Sequence, residues 1–218
     1  MPLRKCYFPT LAVYNLNFMG LSSKQRRNAH LSMVRHLMES HQIVGLEELH
    51  ADTKRDANMF FFEHIHATKF YDSTVNMAIL VNTEWANTHS PHHVDIVPDP
   101  AHGIQWNSGA GRCFFIHIYL DATPATAIKV DQLNRIKQWA TANIQPSDTI
   151  FIGGDRNHIR QVSERVHSDG TKSTVFPSVV RAWDECMAAL NFCAIVQQVS
   201  SPSSASAKGS PPYHSSMW

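Results

Sequence analysis

Apolar runs of strand length crowd the middle of this chain with no helical stretch between them. "QIVGLEELH" (42–50), "VNMAILVN" (75–82), "VDIV" (94–97) and "RCFFIHIYL" (112–120) follow one another directly. Helix-period stripes lie to either side. Ser22 or Ser23 caps a stretch to about Ser40 with Leu31, Val34, Leu37 and Met38 on one face. Ile128 to Asn143 carries Leu133, Ile136, Trp139 and Ala140, and Pro177 opens a third stripe of Val179, Val180, Trp183, Met187 and Leu190. "TLAVYNLNF" (10–18) and "DTIFIGG" (148–154) add two more strands. Strict strand–helix alternation would give a doubly wound parallel sheet. This pattern predicts mixed sheets with helices outside.

The 218 residues suffice for one sizeable core. With 43% hydrophobic and 17% charged residues the chain reads as globular and soluble. The expected domain spans residues 1–199. The Ser/Pro-rich tail at 200–218 is too poor in apolar residues to pack and is expected to be disordered. A net charge of +1 gives no broad basic face, although "SSKQRRNAH" is locally basic. Cys6, Cys113, Cys186 and Cys193 form no CxxC pair, which suits reduced thiols. The first twenty residues do not have the form of a secretory signal, and no run reaches the ~18 apolar residues of a membrane span. The expectation is an intracellular protein, cytoplasmic or nuclear, monomeric and without a membrane partner.

Several strands end on polar groups. Asn15 follows "LAVY", Glu48 follows "IVGLE", Tyr119 follows "FFIHI", and Asp155 and Asn157 follow "IFIGG". Adjacent strand ends lie close in space, so these groups can converge on one rim. A carboxylate with amides is an oxygen-rich set suited to a hard cation such as Mg²⁺, which takes few protein ligands and keeps waters and substrate phosphate. Asp and Asn also end strands because both suit turns, and that plainer reading stands beside the first.

"YNLNFMGL", "LEELH", "HIYLDA" and "IGGDRN", in this order, resemble the signature segments of the endonuclease/exonuclease/phosphatase superfamily. The resemblance runs from residue 10 to about 198. Its subfamily look is that of non-LTR retrotransposon endonuclease domains. It implies a four-layer α/β sandwich, with two facing mixed β-sheets flanked by helices. It also implies a Mg²⁺- or Mn²⁺-dependent phosphodiester hydrolase acting on nucleic acid, DNA rather than RNA. By position, Asn15 and Glu48 would serve the metal, Glu48 as main ligand. Tyr119 would hydrogen-bond the scissile phosphate, Asp155 would align or deprotonate the attacking water, and Asn157 would hold a phosphate oxygen. Glu47 stands where many relatives have glutamine, and strand alternation turns it away from Glu48.

The chain departs from the family pattern in two places. Arg156 separates Asp155 from Asn157 and should point away from the site by alternation. The family ends on a strand with a Ser-Asp-His triplet, and nothing after Asn191 matches it. His214 lacks a preceding Asp. The expectation is therefore a sandwich without its last strand, a fragment of a longer product with impaired hydrolysis. A phosphatase of a small phosphorylated molecule or lipid, and a catalytically dead binding module, remain alternatives.

Fourteen histidines invite a zinc site. "EHIHA" and "PHHVD" lack the spacing of HExxH or finger motifs and read as solvated loops, although His64 and His66 would share a strand face. His50 and His158 lie beside the proposed site. Lys24, Arg26 and Arg27 are either phosphate contacts or a solvated helix start. Trp139 and Trp183 fall on helix stripes, so they read as core. Trp106, in the apparent loop "GIQWNSGAG", is the tryptophan left for a ligand.

Overall fold

The computed structural model describes residues 8–16, 24–49, 65–74, 76–109, 111–120, 125–157 and 175–190. Two four-stranded mixed sheets face each other with the long helices on their outer surfaces, giving the expected four-layer sandwich. The first sheet holds β1 (Leu11–Asn15), β2 (Ile43–Glu47), β3 (Ala67–Tyr71) and β4 (Ala78–Asn82), in the order β1-β2-β4-β3. The second holds β5 (His92–Val97), β6 (Ala101–Ser108), β7 (Gly111–Ile118) and β8 (Thr149–Gly153), in sequence order.

Each sheet contains one parallel pair. β1 runs parallel to β2 across α1 (Lys24–Ser40), and β7 runs parallel to β8 across α3 (Thr126–Asn143). Parallel neighbours need a long crossover, and a helix supplies it while covering the sheet. The two crossovers explain why the sheets are mixed. They also bring the carboxyl ends of β1 and β2, and of β7 and β8, side by side within each sheet.

Side-chain alternation divides the interior into three apolar layers. Val44 and Leu46 of β2 pack with Leu31 and Val34 of α1. Phe114, Ile116 and Ile118 of β7 face Leu133 and Ile136 of α3 and Val179, Ala182 and Met187 of α4 (Pro177–Ala189). Between the sheets lie Ile43, Ile79, Val81, Ile104, Trp106, Cys113 and Phe115. The sheets approach closely at Gly45, where an added Cβ would stand 3.0 Å from His117 Nε2.

Three elements are not apparent in the sequence. β3 is a five-residue strand bearing Lys69, and α2 (Thr83–His89) is a two-turn helix whose start is capped by Asn82 Oδ1 on the Trp85 N–H at 3.1 Å. The third, β6, corrects the loop reading around Trp106. Its glycine and polar residues mask an alternating strand, and Trp106 is 3% exposed, edge-on to Trp85 and stacked on Phe151. A buried ring between two aromatic neighbours is core and offers no ligand face.

Among the described residues no helix is long and apolar enough to cross a membrane. The tail at 200–218, the segment after Asn191 on which the expectation of an absent last strand rests, and His214 lie outside the described residues, as do His50, His64 and His158 and the side chains of Lys24, Arg26 and Arg27.

Phe115 is among the largest fully buried side chains and sits in the layer between the sheets. Phe115→Ala should lower the unfolding free energy by about 3–5 kcal/mol, measured by urea titration. A loss under about 1 kcal/mol would mean that this layer is not tightly packed.

Candidate active site

Asn15 ends β1, Glu48 follows β2, Tyr119 follows β7, and Asp155 follows Gly154 at the end of β8. Three of these meet directly. Glu48 Oε1 accepts from Asn15 Nδ2 at 3.2 Å and from the Tyr119 hydroxyl at 3.0 Å, so one carboxylate oxygen joins strand ends of both sheets. All three side chains are half-buried. Glu48 itself takes a left-handed backbone with φ of 56°. In a residue other than glycine such a conformation costs about 1–3 kcal/mol and persists only where its surroundings impose it. Here the Leu49 N–H is pinned to the Asn76 carbonyl at 3.0 Å just beyond the kink.

The Asp155–Asn157 segment joins the cluster through its backbone. The Asp155 N–H donates to Glu47 Oε1 at 2.6 Å, and its carbonyl accepts from the Leu120 N–H at 2.9 Å. Asp155 is thereby tied to the neighbours of Glu48 and Tyr119 together. Its Oδ1 accepts from the Asn157 N–H at 2.8 Å, an Asx turn that holds Asn157 at φ 43°. The plainer turn reading thus holds for Asp155 and Asn157. The Arg156 guanidinium stands 6.0 Å from the Trp183 ring centre.

Gly154 permits this path, having φ of +132°. A Cβ there would lie 1.9 Å from the Ile118 carbonyl oxygen, so only glycine lets the segment pass so near β7.

Sequence reasoning set aside or overlooked several supporting groups. Glu47 does turn away from Glu48, but the face it turns to is the space between the sheets, where it is 1% exposed. Besides the Asp155 N–H its Oε1 takes His117 Nε2 at 3.2 Å. His117 Nδ1 meets His102 Nε2 at 3.3 Å, and His102 Nδ1 meets His93 Nε2 at 3.3 Å. His93 therefore belongs to β5 and to a buried row, not to a solvated loop. Burial, reinforced by the nearby His117 and His93, holds His102 well below the ordinary histidine pKa. Lys129, on α3, donates from Nζ to the Asn157 carbonyl at 2.7 Å. The sequence signal for Lys129 was its place on the buried side of a helix stripe, four residues before Leu133.

The donor chemistry suits a hard divalent cation. Among the described residues no group of three or more His, Cys, Asp and Glu is placed to hold a metal. A cation here would rest on the Glu48 carboxylate with the Asn15 amide oxygen and waters, the sparse oxygen set that Mg²⁺ takes.

No protein-family model and no curated protein matches the sequence. Solved structures do match in fold. An AP endonuclease from Archaeoglobus fulgidus superimposes with a TM-score of 0.59 at 14% identity, over 83% of this chain and 70% of that one. The chain has the endonuclease/exonuclease/phosphatase fold. A β-hairpin deletion mutant of Staphylococcus aureus beta toxin gives 0.57 at 11% identity, over 86% and 74%. TDP2 of D. rerio, complexed with a single-strand DNA product, gives 0.50 at 12%, over 70% and 62%.

Two glycines of positive φ separate strain from close approach. At Gly111, with φ of +140°, an added Cβ meets nothing nearer than 3.5 Å. Gly111→Ala should cost about 1–3 kcal/mol from backbone strain alone. Gly154→Ala should cost clearly more, because the Ile118 carbonyl must also move. Equal losses in chemical denaturation would show that β8 does not run as close to Ile118 as described.

Proposed function

We propose that this chain is a divalent-metal-dependent phosphodiester hydrolase acting on nucleic acid, DNA in preference to RNA. The observation that carries this reading is the Asn15–Glu48–Tyr119 cluster, which joins strand ends of both sheets beside the Asp155–Asn157 turn. The fold it shares with an AP endonuclease, and with a TDP2 complexed with a single-strand DNA product, supports the substrate class.

In this reading Glu48 and Asn15 hold Mg²⁺ or Mn²⁺. A bound divalent cation supplies Lewis-acid stabilisation of the charge that develops on phosphoryl oxygens. Tyr119, whose hydroxyl donates to Glu48 Oε1, would turn that one donor to an oxygen of the scissile phosphate when substrate binds. Asp155 orients the attacking water and accepts its proton. Asn157, fixed by the Asx turn and by Lys129, offers its side-chain amide to a phosphate oxygen. His117 has no direct part in this set. It is fully buried, with its ring nitrogens facing Glu47 and His102.

Plasmid nicking with Mg²⁺, and its loss in EDTA, tests the reaction. Asp155→Asn should slow nicking by about 10²–10⁴-fold, the range for loss of a positioned acid or base, and should leave the unfolding midpoint nearly unchanged. Calorimetric titration of Mn²⁺ should show a large loss of affinity in Glu48→Gln. Equal Mn²⁺ affinity in both proteins removes Glu48 from the metal site, and equal nicking by Asp155→Asn removes Asp155 from the chemistry.

A further inference from the structure

A row of hydrogen-bonding groups crosses the sandwich from one surface to the candidate site. It begins at His93 on β5, whose side chain is 27% exposed and whose Nδ1 stands 3.6 Å from Asp95 Oδ1. It continues through His102 on β6 and His117 on β7, which are 1% and 0% exposed. It ends at Glu47 of the opposite sheet, whose Oε1 receives the Asp155 N–H. Strand alternation sets all three imidazoles on the inner face of the second sheet, and Gly45 leaves the space that the His117 ring fills.

The terminal carboxylate fixes one end of the row, and one proton per ring sets the rest. A carboxylate oxygen only accepts, so the nitrogen facing it, His117 Nε2, must carry a proton. The order that puts one proton on each ring makes His117 Nδ1 an acceptor from His102 Nε2. His102 Nδ1 is then an acceptor in turn and receives from His93 Nε2. Burial of His102, with two imidazoles beside it, favours the neutral form this order requires. Every ring nitrogen of His102 and His117 then has a partner of the right kind.

We propose that His117 and Glu47, backed by His102 and His93, are positioning residues that hold the Asp155 backbone at the site through a histidine row of fixed tautomer. Glu47 Oε1 takes one donor from each side: His117 Nε2 sets where the carboxylate sits, and the Asp155 N–H follows it. Loss of the acceptor takes the partner of the half-buried Asp155 N–H and frees the turn that carries the Asp155 carboxylate. The inference rests on the reading of Asp155 as a site residue, and its test has a readout that needs no catalysis.

That test is nitrogen-15 NMR of the full chain, combined with plasmid nicking in Mg²⁺. In the wild type, the ring nitrogens should show His102 and His117 as neutral Nε2–H tautomers, and the Asp155 amide proton should resonate well downfield. Glu47→Leu keeps the bulk and removes the acceptor. It should lose the downfield shift and lower the nicking kcat about 10–100-fold, with KM changed less than kcat. Glu47→Gln restores a carbonyl acceptor and should bring both readouts back toward the wild type. Finding His117 as the Nδ1–H tautomer overturns the proposal, even where Glu47→Leu fails to fold. An Asp155 amide unmoved in a folded Glu47→Leu protein overturns it as well. Absence of nicking by the wild type counts against the phosphodiesterase reading alone, and the amide comparison then decides the positioning role by itself.

Discussion

A carboxylate sealed between two β-sheets must be met by donors there, because a buried charge without partners costs several kcal/mol. Glu47 meets that requirement with one oxygen, taking the Asp155 N–H at 2.6 Å and His117 Nε2 at 3.2 Å. Both donors come from the second sheet and the acceptor from the first. The contact therefore sets the stagger between sheets that are otherwise joined by apolar packing, which has no direction. Ile43, Ile104 and Phe115 resist separation of the layers but tolerate a small slide. The Glu47 bonds do not, and Glu48 and Tyr119 lie one and two residues from this junction.

The position of the cluster follows from topology. Each sheet has one parallel pair made by a helical crossover, so β1 and β2 end together, as do β7 and β8. When the sheets face each other these two pairs of ends meet at one rim. Backbone that leaves a strand there has no ladder to satisfy it, and side chains and irregular turns take over. The left-handed conformations of Glu48 and Asn157 both occur at this rim, one on each sheet. Strain of this kind is stable where hydrogen bonds surround it, and the same bonds aim the side chains.

Much of this was legible in the sequence. Asn15, Glu48, Tyr119, Asp155 and Asn157 each terminate an apolar run, and a run's end is a local signal. The helix stripes were legible for the same reason, since Leu133, Ile136 and Ala140 on one helix, and Val179 and Met187 on the next, recur at helical spacing and are buried. β6 was hidden because it opens directly after Pro98 and Pro100 and its inward positions include His102, so apolar alternation is broken. The histidine row was hidden for a deeper reason. His93, His102, His117 and Glu47 lie on four strands, and nothing in the spacing of one strand records what the next brings beside it. Alternation turned Glu47 away from Glu48 correctly; it could not say that the other face was a second sheet instead of solvent.

Lys129 shows how strongly the turn at Asp155 is determined. A lysine in the early turns of a helix opposes the helix dipole, and burying its stem costs rotamer freedom. Lys129 is nevertheless only 8% exposed, with its ammonium 2.7 Å from the Asn157 carbonyl. A charge-assisted bond to a carbonyl offsets that cost. The three-residue turn is then held at the Asp155 N–H by Glu47, at the Asp155 carbonyl by Leu120, at the Asn157 N–H by the Asp155 side chain, and at the Asn157 carbonyl by Lys129. With four backbone groups tied down, the chain has little freedom left in where it aims Asp155 and Asn157. Arg156, between them, extends over Trp183. An acid and an amide two residues apart are thus presented together.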